Sequence, residues 1–318
     1  MGVGRRVPGT RTRLFHPRSW VTVGVAALSL AASGAGAAAV RAPRSVGLIS
    51  ARSAGSGATL GNCPSSEPVS SLPVFVRTDA ALIPDDLWVD ANGDVWVTVT
   101  AGGHILDFSA GGALRQNFPD PNGPEGIIVT AAGTVVADQL ASRVARMAAD
   151  GHLTPFLKLP NRPKLLPVDG LGFDVQRQRL LIPNSPEGTL LATPLTVASP
   201  RRLATGLGRP VAAAIGTDGS IYVAAESRVG LVRVPPNGGA AKRVGTLSNL
   251  DEVISAGRLL YTTGAGDGTV RAVDPTTGVD RVLATGGHQL QGLAALPDGR
   301  LLVIDSPTHT ISFVSPCQ

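Results

Sequence analysis

The chain has 318 residues, of which 43% are hydrophobic, so it can bury a packed core and is not an intrinsically disordered protein. Its 39 glycines, 25 prolines and low charged fraction of 16% are typical of short strands joined by turns. The formal net charge of +5 comes from residues 1–60, which hold eight arginines and no acid. Without those eight, the 28 basic and 23 acidic side chains leave a net charge of −3, so we expect no nucleic-acid partner.

Residues 1–40 have the layout of an export signal. Arginines precede an uncharged segment, Trp20 to Val40, with small residues at Ala35-Gly36-Ala37. We expect a cleaved signal peptide, with a retained membrane anchor as the alternative, and a flexible linker over residues 41–71. The protein is therefore predicted to be secreted or extracytoplasmic, with membrane contact only through an uncleaved leader.

A unit of four short strands begins at Pro124. An apolar run, Ile127-Ile128-Val129, turns at Gly133 into a second run, and a third run, Arg143 to Met147, alternates apolar and polar side chains as a half-buried strand does. A fourth strand follows at Leu153. The unit recurs every 39 to 44 residues, and its copies begin at Asp86-Leu87, Glu125-Gly126, Asp169-Gly170, Pro210-Val211, Asp251-Glu252 and Gln291-Gly292. A period near forty predicts an all-β fold, a six-bladed β-propeller with four-stranded antiparallel blades over residues 72–317.

The sixth copy is one strand short at the C-terminus. The alternating segment Leu72 to Arg77 precedes the first copy and has no partners of its own, so we predict that it closes the last blade. The two cysteines, Cys63 and Cys317, lie at the two ends of the predicted propeller. In an exported protein we expect them to form a disulfide at the seam, the alternative being two unpaired thiols.

The copies resemble NHL repeats and the wider six-bladed class of gluconolactonase, senescence marker protein and strictosidine-synthase-like proteins. The residues that carry the resemblance are Pro124-Glu125-Gly126-Ile127, Ala137-Asp138 with Arg143-Val144, Asp169-Gly170-Leu171 followed by Leu180 to Asn184, and Gly292-Leu293 with Pro297-Asp298-Gly299. These motifs are specific for blade architecture and weak for activity, because one fold hosts many functions.

Acidic residues begin four of the six copies. The innermost strand of each blade lines the channel, so the leading residues should form a ring at one mouth, composed of Asp86, Glu125, Asp169, Pro210, Asp251 and Gln291. Two carboxylates about 6 Å apart repel by roughly 3 kcal/mol at an effective dielectric of about 20. A bound hard cation would relieve this, and oxygen ligands favour calcium, so Asp86, Glu125, Asp169 and Asp251 are the predicted metal ligands. The alternative is that each acid caps a loop.

The resemblance implies a similar site. Gluconolactonase-class propellers hold one divalent metal through a Glu, an Asn and an Asp, and the positions here are Asp86, Asp169 and Asp251. In that class the last residue is also the general base, which implies this role for Asp251. Two of the three positions depart from the class pattern, Asp86 replacing Glu and Asp169 replacing Asn.

Three histidines are predicted in loops on the same mouth. His104 belongs to the first blade, and His288 and His309 belong to the sixth, which adjoins it. If they cluster, they would supply a general base or hydrogen bonds to a substrate. The alternative is that each is an ordinary surface-loop histidine.

Two functions follow, and the sequence does not decide between them. One is a calcium-dependent hydrolase of lactones or related esters. The other is a non-enzymatic NHL-type scaffold that binds a protein or cell-wall ligand through top-face loops carrying Glu187, Glu226, Arg228 and Asp267. A lyase or a strictosidine-synthase-like condensation is a third option. In each case we expect a monomer with its small-molecule or protein ligand at the top face of the channel.

Overall fold

The computed structural model describes residues 58–161, 168–227 and 229–318. The predicted leader, residues 1–40, lies outside these ranges and stays a prediction. The described residues form a six-bladed β-propeller, as predicted, because their strands make six sheets of consecutive antiparallel strands. In each blade the first strand lies nearest the channel axis and the last lies at the rim.

Two short N-terminal strands, β1 (Glu67–Pro68) and β2 (Val74–Arg77), precede the first blade, and the first three blades contain the next twelve strands. Blade 1 comprises β3 (Leu87–Val89), β4 (Val95–Val99), β5 (His104–Phe108) and β6 (Leu114–Pro119). Blade 2 comprises β7 (Pro124–Thr130), β8 (Gly133–Asp138), β9 (Arg143–Met147) and β10 (Leu153–Lys158). Blade 3 comprises β11 (Gly172–Asp174), β12 (Arg179–Asn184), β13 (Thr189–Pro194) and β14 (Arg201–Ala204).

The last three blades contain the remaining strands. Blade 4 comprises β15 (Pro210–Ile215), β16 (Ile221–Ala225), β17 (Val229–Val234) and β18 (Lys242–Ser248). Blade 5 comprises β19 (Leu250–Ala256), β20 (Leu259–Gly264), β21 (Thr269–Val273) and β22 (Asp280–Thr285). Blade 6 comprises β23 (Leu290–Ala295), β24 (Leu301–Asp305), β25 (Thr310–Val314) and a strand from the other end of the chain.

That strand, β2 (Val74–Arg77), confirms the predicted closure. It pairs antiparallel with β25 and so completes the sixth blade from the N-terminal side. Cys63 and Cys317 form the predicted disulfide, which joins positions 254 residues apart. Main-chain hydrogen bonds between Thr59 and Gln318 and between Asn62 and Gln318 lie beside it. The seam is therefore held by a strand pair, a disulfide and these two bonds.

The folded body begins earlier than the predicted boundary at residue 72. Residues Glu67–Pro68 form β1, which pairs parallel with β22 and adds a fifth strand to the rim of blade 5. Ala58, Val69 and Leu72 are buried in the core between blades 5 and 6. Residues 58–71 of the predicted linker therefore pack on the propeller, and residues 41–57 lie outside the described ranges.

The core is divided among the blade interfaces. Among the described residues, six clusters of buried apolar side chains occur, and each lies between two neighbouring blades, including the sixth and the first. Burial is highest in the second strand of blade 1: β4 is almost wholly buried, whereas the innermost strand β3 is partly accessible from the channel and most of β6 is exposed at the rim. No helix in the described ranges is long and apolar enough to cross a membrane.

Candidate functional site

Two rings of residues line the channel where the innermost strands begin. We call this end the top mouth, and the end where those strands turn into hairpins the bottom mouth. Strand pairing identifies the equivalent residues of the blades. In each of blades 2 to 6, the residue just before the first-ring residue pairs with the last residue of the second strand. The first ring is Asp85, Glu125, Asp169, Val211, Asp251 and Gln291. The second ring, one residue deeper, is Asp86, Gly126, Gly170, Ala212, Glu252 and Gly292.

This register corrects the sequence alignment in blades 1 and 4. In blade 1, Leu87 pairs with Val97 as Ile127 pairs with Val136 in blade 2, so Asp85 takes the position of Glu125. In blade 4, Val211 rather than Pro210 takes that position. Main-chain hydrogen bonds support the equivalence of Asp85 with the other first-ring residues. The N–H of Gly292 donates to the carbonyl oxygen of Asp85 at 2.9 Å, as the N–H of Gly126 donates to that of Asp169 at 3.1 Å. Asp86 therefore lies below the ring in which it was predicted.

The second ring leaves room for two carboxyls because three of its other members are glycines. A Cβ atom on Gly126 would lie 2.5 Å from the amide nitrogen of Leu171, and one on Gly292 would lie 2.9 Å from Oδ1 of Asp86. Backbone therefore approaches backbone closely around the axis, and only Asp86 and Glu252 extend polar side chains at this depth.

Asp86 and Glu252 are held in matching ways. Oδ1 of Asp86 accepts a hydrogen bond of 2.7 Å from the N–H of Leu87, and Oε1 of Glu252 accepts one of 2.7 Å from the N–H of Val253. The two carboxyls lie close enough to interact, and the charge of Asp86 helps to raise the pKa of Glu252. They form an acid pair contributed by the innermost strands of blades 1 and 5.

In the first ring, Glu125 and Asp251 accept no hydrogen bond from any residue that the structure describes. Glu125 is only 8% exposed, and no hydrogen bond or ion pair joins either carboxyl to another described residue. Asp169 differs, since its Oδ2 lies 2.6 Å from Nη2 of Arg209. The same guanidinium contacts Glu226 on a top-face loop. One cation thus neutralises part of an otherwise acidic ring.

The channel carboxyls shift one another's pKa upwards. Desolvation is the largest cause in every case, because a charge is costly where water is excluded. It raises the pKa of Asp86 to about 8, with the neighbouring Asp85 and Asp169 adding to the effect and the Leu87 amide opposing it.

The pKa values of Glu125, Asp251 and Glu252 are raised well above the ordinary range by the same desolvation and by the neighbouring acids. The pKa of Asp169 is raised less because Arg209 opposes the shift. The cluster therefore favours bound protons or a bound cation near neutral pH.

The three predicted histidines have other partners. Nδ1 of His104 lies 2.7 Å from Oδ1 of Asn117, and Nδ1 of His288 lies 3.1 Å from Oδ2 of Asp305, with the His288 side chain 65% exposed. His309 adopts a left-handed conformation in the turn before β25, and its Nδ1 is buried without a described partner. Within the described ranges, no hydrogen bond or ion pair links these histidines to Glu125 or Asp251.

Asp85, Glu252 and Arg209 are site residues that the sequence did not predict. A signal exists for the first two, since Asp85-Asp86 and Asp251-Glu252 are acidic doublets at the start of an innermost strand. The sequence alignment assigns only one member of each doublet to the ring. Arg209 carries no such signal, because its partner Asp169 is 40 residues away.

A second pair of buried acids lies off the axis, between blades 1 and 2. Asp120 and Asp138 are both inaccessible to solvent, and Arg143 forms an ion pair with Asp138. Burial and the neighbouring Asp120 raise the pKa of Asp138 to about 7, although Arg143 opposes the shift. Neither residue belongs to the two channel rings, and we expect this pair to affect stability.

No protein-family model matches the chain, and no curated protein matches it. Solved structures do resemble it. The calcium-binding protein regucalcin from Agrobacterium tumefaciens has a TM-score of 0.64 at 16% identity, covering 80% of this chain and 96% of that one. A gluconolactonase from Xanthomonas campestris has a TM-score of 0.61 at 15% identity, covering 80% and 98%.

A streptogramin B lyase has a TM-score of 0.58 at 17% identity, covering 72% of this chain and 78% of that one. Likeness at these identities concerns architecture, because six-bladed propellers carry unrelated activities. The chain is a six-bladed β-propeller whose fold resembles those of a gluconolactonase, a regucalcin and a streptogramin B lyase.

Proposed function

We propose that the chain is an exported hydrolase that opens a lactone or related ester at the top mouth, with calcium as its cofactor. The observation that supports this proposal is the pair Glu125 and Asp251. Both are carboxyls in a desolvated ring, neither has a hydrogen-bond donor among the described residues, and their pKa values are raised. Groups in this state gain free energy when a cation or a polar substrate reaches them.

The donor set fits a hard divalent cation in its chemistry. Glu125 and Asp251 offer carboxylate oxygens, and Asp169 offers the oxygen that Arg209 does not contact. Asp86, predicted as a fourth ligand, lies one residue deeper, where its Oδ1 accepts a hydrogen bond from the N–H of Leu87. In the part of the chain that is described, no group of three or more acidic, histidine or cysteine side chains is arranged as a metal site. Calcium would therefore have to draw these carboxylates together and displace their protons, which its flexible geometry allows.

The reaction would use the ring as follows. A bound divalent cation would polarise the carbonyl group of the ester. Asp251 would accept a proton from the attacking water once a bound cation had displaced the proton that its own carboxyl holds. Water adds to the acyl carbon, the acyl C–O bond breaks, and the proton passes to the departing alkoxide oxygen. Arg209 would keep Asp169 ionised beside the site.

Thermal unfolding with and without calcium tests the cofactor. We expect calcium to raise the melting temperature of the wild type, and we expect Asp251→Asn and Glu125→Gln to reduce this rise. Asp150→Asn, a change in an exposed turn outside the rings, is the matched control. Hydrolysis of a panel of γ- and δ-lactones, followed by acid release, tests the activity. The proposal would be refuted if calcium did not change the melting temperature of the wild type and the wild type hydrolysed no lactone.

A second candidate, a binding scaffold, is favoured by one observation. Arg209 already supplies a positive charge inside the ring and ties it to Glu226 on the top face. A scaffold would retain ligand binding in Asp86→Ala and Asp251→Ala and lose it on substitution of a top-face loop residue such as Asp267. Arg228, predicted to take part, lies outside the described ranges.

A further inference from the structure

A cavity of about 640 Å³ lies below the two rings and opens at the bottom mouth. Its side walls are mainly apolar and include Trp88, Phe173, Ile215 and Ile254. The strand from Glu252 to Ala256 runs along the wall for four residue steps, or about 13 Å at the rise of a β-strand. This volume is within the range of cavities that enclose small organic ligands.

The two ends of the cavity differ in chemistry. The inner end is the carboxyl pair Asp86 and Glu252, which separates the cavity from the first ring. The bottom mouth is lined by turn residues, among them Val175, which is 60% exposed, and the exposed Arg258. A concave, mainly apolar cavity with a few polar groups at one end is typical of a ligand site.

We propose that the cavity binds an amphiphilic amine, with its ammonium group against Asp86 and Glu252 and its apolar body along the walls. An ammonium group donates up to three hydrogen bonds and carries the charge that a pair of acids favours. Hydrogen bonds from the backbone N–H groups of Leu87 and Val253 hold the two carboxyls in place, so little side-chain entropy is lost on binding.

The opposite orientation and the opposite charge are disfavoured. A fatty acid would have to place its carboxylate at Arg258 and its tail against two buried carboxyls, which would lose hydrogen-bonding opportunities without compensation. A neutral alcohol would reach the carboxyl pair but would bring no charge to it. The proposal concerns the bottom mouth, so it goes beyond the proposed hydrolysis at the top mouth.

Calorimetric titration of the full chain with n-octylamine, 1-octanol and octanoate tests the proposal. We expect octylamine to bind more tightly than octanol by about tenfold or more, as hydrogen bonds to a charged group predict. Glu252→Gln keeps the acceptor for the Val253 amide and should remove most of this preference. Glu67→Gln, in the exposed strand β1, is its control.

A second pair of variants tests the cavity without changing the carboxyls. Val175→Arg places a bulky cation at the mouth and should weaken octylamine by about tenfold through obstruction and repulsion. Val197→Arg changes a valine of similar exposure, 56%, that does not line the cavity, and should leave binding unchanged.

Three results would overturn the proposal: equal affinities for octylamine and octanol, tighter binding of octanoate that is lost in Arg258→Gln, or no binding of octylamine to the wild type. Lactone hydrolysis measured on Val175→Arg separates the two sites, because activity at the top mouth should persist when amine binding is lost.

Discussion

Removal of the disulfide tests how the ring is closed. The double change Cys63→Ala and Cys317→Ala releases a crosslink between positions 254 residues apart. The chain-entropy relation for a loop of this length gives a loss on the order of 5 kcal/mol in the free energy of unfolding. This is a large share of the 5 to 15 kcal/mol that typically stabilises a domain.

The loss should also be local. β2 is joined to β25 through Val74, Val76 and Arg77, and its outward edge has no further strand among the described residues. Without the crosslink, β2 should separate from blade 6 more often than any inner strand separates from its neighbours. Amide hydrogen exchange should therefore accelerate most in β2 and β25 and least in blade 3.

The assay is guanidinium denaturation followed by circular dichroism, with hydrogen exchange measured by mass spectrometry on the same samples. Wild type treated with a reductant is the control and should approach the double variant, whereas the variant itself should not respond to reductant. Equal free energies of unfolding for the two proteins would refute the crosslink reasoning. Exchange that accelerates equally in all blades would refute the seam as the weakest point.

Three further predictions concern buried groups. The pKa of Asp138 is raised to about 7, so its contribution to the free energy of unfolding should be complete below about pH 4 and lost as the pH rises through 7. Asp138→Asn should remove this pH dependence, on the order of 4 kcal/mol, from the free energies measured by urea unfolding. Gly126→Ala should cost about 1 to 3 kcal/mol in the same assay because backbone atoms block its Cβ, whereas Gly111→Ala, whose Cβ would meet only Oγ of Ser109 at 3.8 Å, should cost much less. Arg209→Gln should strengthen calcium binding measured by titration, because it frees an oxygen of Asp169 from its ion pair; weaker binding would contradict the proposed role of that carboxyl.

The two acid pairs of this propeller have different surroundings. Asp120 and Asp138 are inaccessible to solvent beside Arg143. Asp86 and Glu252 border a cavity that reaches the bottom mouth. We therefore expect the Asp120 and Asp138 pair to affect stability, and the Asp86 and Glu252 pair to contact the proposed ligand.

The sequence by itself determined the number of blades, the strand that closes the ring and the disulfide. Each of these features can be read from the spacing or type of residues along the chain. The period is near forty residues, the sixth copy lacks a strand that a segment before the first copy can supply, and two cysteines lie at the ends of the propeller. The carboxyls at the channel were also recognised as a group, since acids repeat at the start of the copies.

Only the tertiary structure decided the depth of each carboxyl in the channel. β-bulges interrupt the pairing where the innermost strands of blades 2, 4, 5 and 6 begin. An extra residue at a bulge leaves the apolar pattern of the strand intact while it changes the level of the residue before it. The period-two pattern fixes which face a residue occupies and not its height along the axis, so Asp86 was placed one level too high. Its contact with Glu252 and that of Arg209 with Asp169 join different blades, and no local pattern in the chain encodes such contacts.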